Sequence, residues 1–133
     1  MTRVLVTGSA DGLGRATADT LLAQGHDVMV HARNQERAED LFALADRGAR
    51  VVVGDFTQRD AVRRIAAELN DAEPLDAVIH NAGVWSGPAV MPVNITAPYL
   101  LTALLQRTAP TGVSEQQLAL RRTTRARPGR LEG

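Results

Sequence analysis

The sequence contains no cysteine, which excludes a disulfide framework, a thiolate metal site and a cysteine nucleophile. It contains no lysine either: all 15 basic side chains are arginine. Schiff-base chemistry and a phosphate-loop lysine are thereby excluded. The three histidines, His26, His31 and His80, are too scattered for metal-ligand spacing, so no metal is expected. No apolar run approaches the roughly 18 residues of a membrane span. Met1-Thr2-Arg3 leads into a short apolar run rather than a signal-peptide pattern. A cytoplasmic protein with no membrane partner is the expectation.

What remains is an ordinary globular balance for a single domain, 133 residues with 44% hydrophobic and 23% charged side chains. The neutral total hides a split. Residues 1–107 carry 10 arginines against 13 acids, whereas residues 108–133 carry 5 against 2. The second segment holds a capping-box-like Ser114-Glu-Gln-Gln and then an arginine-rich run with little to bury. Residues 1–107 are therefore read as the folded unit and 108–133 as a basic tail, poorly packed or disordered.

Short apolar runs alternate with helical spacing along the first segment. Arg3 to Thr7, Asp27 to Ala32, Arg50 to Gly54 and Leu75 to His80 read as strands. Helices are predicted over 13–24, stopped by Gly25, over 35–46 with Asn34 as cap, and from Thr57 to about 69. Val93 to Leu105 reads as a last helix. Continuous apolar strands alternating with helices of ten to fourteen residues signal an α/β fold, a parallel sheet covered on both faces. With right-handed crossovers the four strands take the order 3-2-1-4 of an incomplete doubly wound, Rossmann-like sheet with flanking helices.

The run Thr7-Gly8-Ser9-Ala10-Asp11-Gly12-Leu13-Gly14 lies between the first strand and the first helix. Glycines there permit positive φ and close backbone approach to a pyrophosphate, and the helix N-terminus behind them offers free N–H groups to an anion. A dinucleotide is the expected ligand, with Thr7, Gly8, Ser9, Gly12, Leu13 and Gly14 at its phosphates. Ser9 either adds a hydroxyl contact or is simply a turn serine.

In this run, in Gly54-Asp55-Phe56 after the third strand, in Asn81-Ala82-Gly83 after the fourth and in Val93-Asn94, the sequence resembles the short-chain dehydrogenase/reductase family. The likeness covers residues 1 to about 106. It implies that Asp55 hydrogen-bonds the adenine amino group, with the Phe56 amide beside it, although an aspartate capping the next helix fits as well. It implies that Asn81, Ala82 and Gly83 stabilise the sheet and pass beneath the cofactor ribose. It gives Asn94 a catalytic part, its main-chain carbonyl holding a water in a proton relay. Pro98 agrees with this, since it has no N–H to donate to that carbonyl. A helix beginning near Pro98 with Thr96 as its cap is the competing reading.

Cofactor choice rests on the end of the second strand, where an acid would bind the ribose hydroxyls of NAD. Here the chain reads His31-Ala32-Arg33-Asn34. The permanently charged fork of Arg33 suits a 2′-phosphate, so NADP(H) is expected in preference to NAD(H). Asp11 departs from the basic residue that many NADP-preferring members place before the second glycine.

The family's carbonyl chemistry uses a tyrosine, a lysine four residues on and a serine. The only tyrosine, Tyr99, is followed four residues later by Ala103. The expectation is thus an oxidoreductase-family chain, truncated or frameshifted after about Gln106, that binds cofactor without transferring hydride. Its fourth strand would form an open apolar edge inviting self-association. A non-catalytic module that senses NADP(H) and contacts a protein through that edge is the alternative. Methyl transfer from S-adenosylmethionine would want an acid at Arg33. Nucleic acid is not expected as a partner, because Arg121, Arg122, Arg125, Arg127 and Arg130 have no aromatic interleaved for stacking. Trp85 either lines the entrance or packs on a loop.

Overall fold

The computed structural model describes residues 2–105. The expected tail at 108–133, with its Ser114 helix start and arginine run, lies outside the described residues. Strands β1 (Arg3–Val6), β2 (Asp27–Ala32), β3 (Arg50–Val53) and β4 (Ala77–Ile79) form one parallel sheet in the order β3-β2-β1-β4. This is the order expected from the sequence. Helices α1 (Gly12–Ala23), α2 (Gln35–Ala38), α3 (Phe42–Asp46), α4 (Arg59–Asp71) and α5 (Ala97–Leu104) complete the doubly wound layers.

The sheet's side chains alternate between two cores, as the period of two requires. Leu5, Met29, Val52 and Val78 face α4 and α5, meeting Val62, Ile65, Leu69, Ala97 and Leu101. Val4, Val6, Val28 and Val30 face the other way, meeting Ala18 of α1 together with Ala38, Leu41 and Leu44. At the amino end of the sheet Arg3 ties β1 to β2 and to the residue that enters β4. Its Nε donates to Asp27 Oδ2 at 2.7 Å, its amide donates to Asp76 Oδ2 at 2.8 Å, and its carbonyl accepts from the Asp76 amide at 2.8 Å.

The structure differs from the sequence reading in four local details. The helix expected over 35–46 is interrupted by a 3₁₀ turn, Glu39–Leu41, between α2 and α3. Ala38, Leu41 and Leu44 are all buried, and an unbroken repeat of three stays on one face through a 3₁₀ turn, whereas in a continuous α-helix it drifts around the axis. Asn34 does cap α2, its Oδ1 accepting from the Arg37 amide at 2.8 Å. Thr57 does not open α4. Gln58 is its N-cap, and Thr57 sits in a preceding turn where its amide and hydroxyl both donate to Asp55 Oδ1, at 2.9 and 2.7 Å. The fourth strand contracts to three residues.

The fourth difference is at the last helix. α5 begins at Ala97, close to where the competing reading starts it, but Thr96 has helical angles (φ −65°, ψ −48°) and makes no side-chain cap, so the helical path runs on through it from the preceding turn. A π turn, Pro92–Thr96, leads directly into α5, with the Ala97 amide donating to the Pro92 carbonyl five residues back. Pro98 accounts for the widening, because its ring crowds the carbonyl four residues earlier and it has no N–H to close an α turn.

Candidate functional site

A groove of about 630 Å³ opens where the loops following β1, β2, β3 and β4 converge. This is the carboxyl end of the sheet, where the order of the strands reverses about β1, the usual position of a ligand in such folds. Of the residues singled out from the sequence, Gly8, Gly12, Leu13, Arg33, Asp55, Phe56, Asn81, Ala82 and Gly83 line it. Thr7, Ser9, Gly14 and Asn94 do not, and each has a different task.

Thr7 is buried, and its hydroxyl oxygen accepts from the amides of Asn81 and Ala82, both at 3.0 Å. It thereby fastens the β4 loop to the glycine loop. Ser9 is fully buried. Its hydroxyl donates to the Val6 carbonyl at 2.8 Å and accepts from the His31 amide at 2.7 Å, so of its two readings the one as a residue of the turn is the one these bonds fit, and the turn ties β1 to β2. Gly14 is the packing glycine. A Cβ there would stand 2.4 Å from both the Gly8 carbonyl oxygen and Asn81 Nδ2. Gly8, at φ +63°, is equally confined, since its Cβ would come within 2.7 Å of the Ala82 Cα. At Gly12, by contrast, φ is +57° and a Cβ would meet nothing within 4 Å. The turn needs positive φ there, and the space beyond it is open groove.

The fit to a pyrophosphate rests on these backbone facts. Gly12 and Leu13 form the first turn of α1, whose N–H groups have no intrahelical acceptor, and both residues border the groove.

The sequence assigns His31 no part in the site, yet its ring fastens two of the loops that build it. The Gly8 amide donates to its Nδ1 at 3.0 Å, which leaves the ring proton on Nε2, and Nε2 donates to the Gly54 carbonyl at 2.8 Å. The ring stacks on Phe56 with centroids 4.1 Å apart and planes 11° from parallel. Burial pushes its pKa below the ordinary histidine value, against smaller opposing effects of the Gly54 carbonyl and Asp55. A neutral imidazole with one acceptor and one donor is the form that satisfies both loops. The signal available in sequence was a polar side chain within an apolar strand, which must find partners when buried.

At the outer wall Arg33 is exposed, and among the described residues it has no ion-pair partner. Asp55 borders the groove while its Oδ1 holds the Thr57 turn. Arg37, not singled out from the sequence, also lines the groove and is paired with Asp11. Asn94 lies outside the lining. Its Oδ1 accepts from the Val84 amide at 2.9 Å and its Nδ2 donates to the Val84 carbonyl at 2.8 Å, so its side chain clamps the β4 loop to the π turn. Tyr99 is 77% exposed and does not reach the groove. Trp85 is exposed as well and is not part of the lining. No helix among the described residues is long and apolar enough to cross a membrane.

A parallel sheet with a glycine turn, an arginine-bearing second loop and a groove at the strand reversal defines a Rossmann-like nucleotide-binding fold. A family model described as short chain dehydrogenase matches residues 2–109, and the chain belongs to that family. It is 40% identical over 119 residues to an uncharacterized oxidoreductase of Emericella nidulans, covering 80% of this chain and 47% of that protein. It is 41% identical over 116 residues to the short-chain dehydrogenase chyC of Penicillium rubens, covering 80% of this chain and 45% of that one. The chain thus spans about half the length of these curated relatives.

Solved structures agree with the fold. The Pseudomonas aeruginosa RhlG/NADP active-site complex superposes with a TM-score of 0.69 at 29% identity, covering 80% of this chain and 45% of that one. A short-chain dehydrogenase from Sphingobium yanoikuyae in complex with NADPH gives 0.68 at 25% identity, covering 79% and 47%.

Proposed function

We propose that residues 1–107 are the NADP(H)-binding part of a short-chain oxidoreductase, and that the groove takes NADP(H) in preference to NAD(H). The observation that carries this reading is Arg33, a permanently charged side chain without an ion-pair partner among the described residues, on the loop where an acid would select NAD. The NADP and NADPH named in the two solved structures support it.

Each wall then has a task. The Gly8 turn and the first-turn amides of α1 hold the pyrophosphate, and Arg33 pairs with the 2′-phosphate. Asp55 accepts from the adenine amino group. Asn81, Ala82 and Gly83 form the floor beneath the ribose. When bound, the nicotinamide supplies hydride chemistry. Asn94 serves that chemistry by fixing the Val84 backbone and, with Pro98 unable to donate to its carbonyl, by offering that carbonyl to a relay water.

These 133 residues include no lysine, and their one tyrosine lies away from the groove. By themselves they bind the dinucleotide without reducing a carbonyl. Titration of the purified chain with NADPH and NADH, for wild type and Arg33→Ala, tests the reading. Arg33→Ala is expected to weaken NADPH by about tenfold, the effect of a lost charge-assisted phosphate contact, and to leave NADH unchanged. An unchanged NADPH dissociation constant would overturn the cofactor assignment. Ketone-dependent oxidation of NADPH by the same chain would overturn the non-catalytic part.

A further inference from the structure

Asp11 stands in the glycine loop at the groove wall, its side chain 77% exposed. A bare carboxylate there acts against the proposed cofactor in two ways. It repels a 2′-phosphate, and it offers a ribose 2′-hydroxyl an acceptor, which favours NAD. The structure gives that carboxylate a partner. Arg37 Nη2 lies 2.5 Å from Asp11 Oδ2, across 26 residues of sequence.

The position of Arg37 is set independently of Asp11. Its amide is held by the Asn34 cap at 2.8 Å, and its Nη1 lies 3.6 Å from Asp40 Oδ2. Arg15 of α1 donates to the Asp40 carbonyl, so the segment carrying Asp40 is itself tied back to the helix behind the glycine loop. Arg37 is thus presented to the loop from a fixed helix start.

We infer that Arg37 is a specificity-determining residue of this groove, and that it acts by neutralising Asp11 so that the charge of Arg33 meets the 2′-phosphate unopposed. The inference rests on the NADP(H) reading of Arg33. It assigns Arg37 no direct phosphate contact, which separates it from a second phosphate-binding arginine. It also explains how an acid in the glycine loop is compatible with that reading.

The test is the ratio of NADH to NADPH dissociation constants, measured on the full chain for wild type, Arg37→Ala, Asp11→Asn and the double variant. Arg37→Ala is expected to lower the ratio about fivefold, as an uncovered charge within a Debye length of the phosphate requires. Asp11→Asn is expected to raise it or leave it unchanged. The double variant is expected to return to within about twofold of wild type, because the repelling charge has gone with its partner. Equal weakening of both cofactors by Arg37→Ala would make the residue a prop for the helix start and overturn the inference. A double variant as impaired as Arg37→Ala would show direct phosphate binding and overturn it as well. Failure of Arg33→Ala to affect NADPH would instead remove the underlying reading, whatever Arg37 does.

Discussion

The two ends of the groove are built differently. At the end formed by the β1, β2 and β3 loops, buried side chains cross-link three segments: Ser9 joins Val6 to His31, and His31 joins Gly8 to Gly54. At the end formed by the β4 loop and the π turn, a three-residue strand stands at the edge of the sheet, among the described residues, and one asparagine clamps the loop. Large apolar side chains at Trp85, Met91, Ile95 and Tyr99 are exposed on this side. The first end is set before any ligand arrives. The second is held to the glycine loop through Thr7 and to the π turn through Asn94, and beyond these ties it carries a wide uncovered surface. Recognition of the nucleotide is therefore expected to be less sensitive to damage near β4 than to damage near β1.

The sharpest way to break the first end is Gly14→Ala. Its Cβ would meet the Gly8 carbonyl and the Asn81 side chain at 2.4 Å, so the loops must part. A loss of ~3 kcal/mol or more is expected from urea unfolding, together with loss of NADPH binding. An unchanged midpoint would show that the loops pack less rigidly than described.

Acidification should act on both ends in the same direction. Burial lowers the pKa of His31 and pushes that of His80 down to about 4. With folded values below the unfolded value of about 6.5, the unfolded chain takes up protons first. Stability is thus full above pH ~6.5 and falls as pH drops toward 4, by on the order of 3 kcal/mol for His80 alone. Unfolding midpoints measured from pH 7.5 to 4.5 check this. A flat profile over that interval would contradict the burial of both rings. A proton on His31 Nδ1 would also face the Gly8 amide hydrogen, so the glycine loop should loosen within the same window.

Two smaller substitutions compare the ends directly. Ser9→Ala orphans the fully buried His31 amide and is expected to cost ~2 kcal/mol. Asn94→Ala frees half-buried Val84 groups that water can reach, and is expected to cost ~1 kcal/mol, with faster hydrogen exchange at the Val84 amide. If Asn94→Ala costs more than Ser9→Ala, the ranking of the two ends is reversed.

Most of the fold was legible because its signals are local. Valine-rich strands, the Gly25 stop and the Asn34 cap sit within a few residues of what they determine. The strand order then followed from the handedness of parallel crossovers. Gly8 and Gly12, which line the groove, belong to a glycine pattern legible for the same reason. The residues read differently are those whose partners lie far along the chain. Ser9 and His31 are 22 residues apart, and Thr7 meets Asn81 across 74. A hydroxyl in a glycine loop looks alike whether it faces a phosphate or a neighbouring strand, and tertiary packing decides. The 3₁₀ turn at Glu39–Leu41 was hidden because spacings of three and four both occur in an α pattern.

The imidazole between Gly8 and Gly54 has a consequence for engineering by exchange of parts. Two loops contributed by different crossover units share one side chain belonging to a third. Neither can be transplanted from a homologue as an interchangeable cassette without importing its matching residue at position 31. Aliphatic replacements would orphan one backbone donor and one backbone acceptor on separate segments. Loop grafts into this scaffold should therefore be designed as a set of three, with the second strand counted among the parts to be moved.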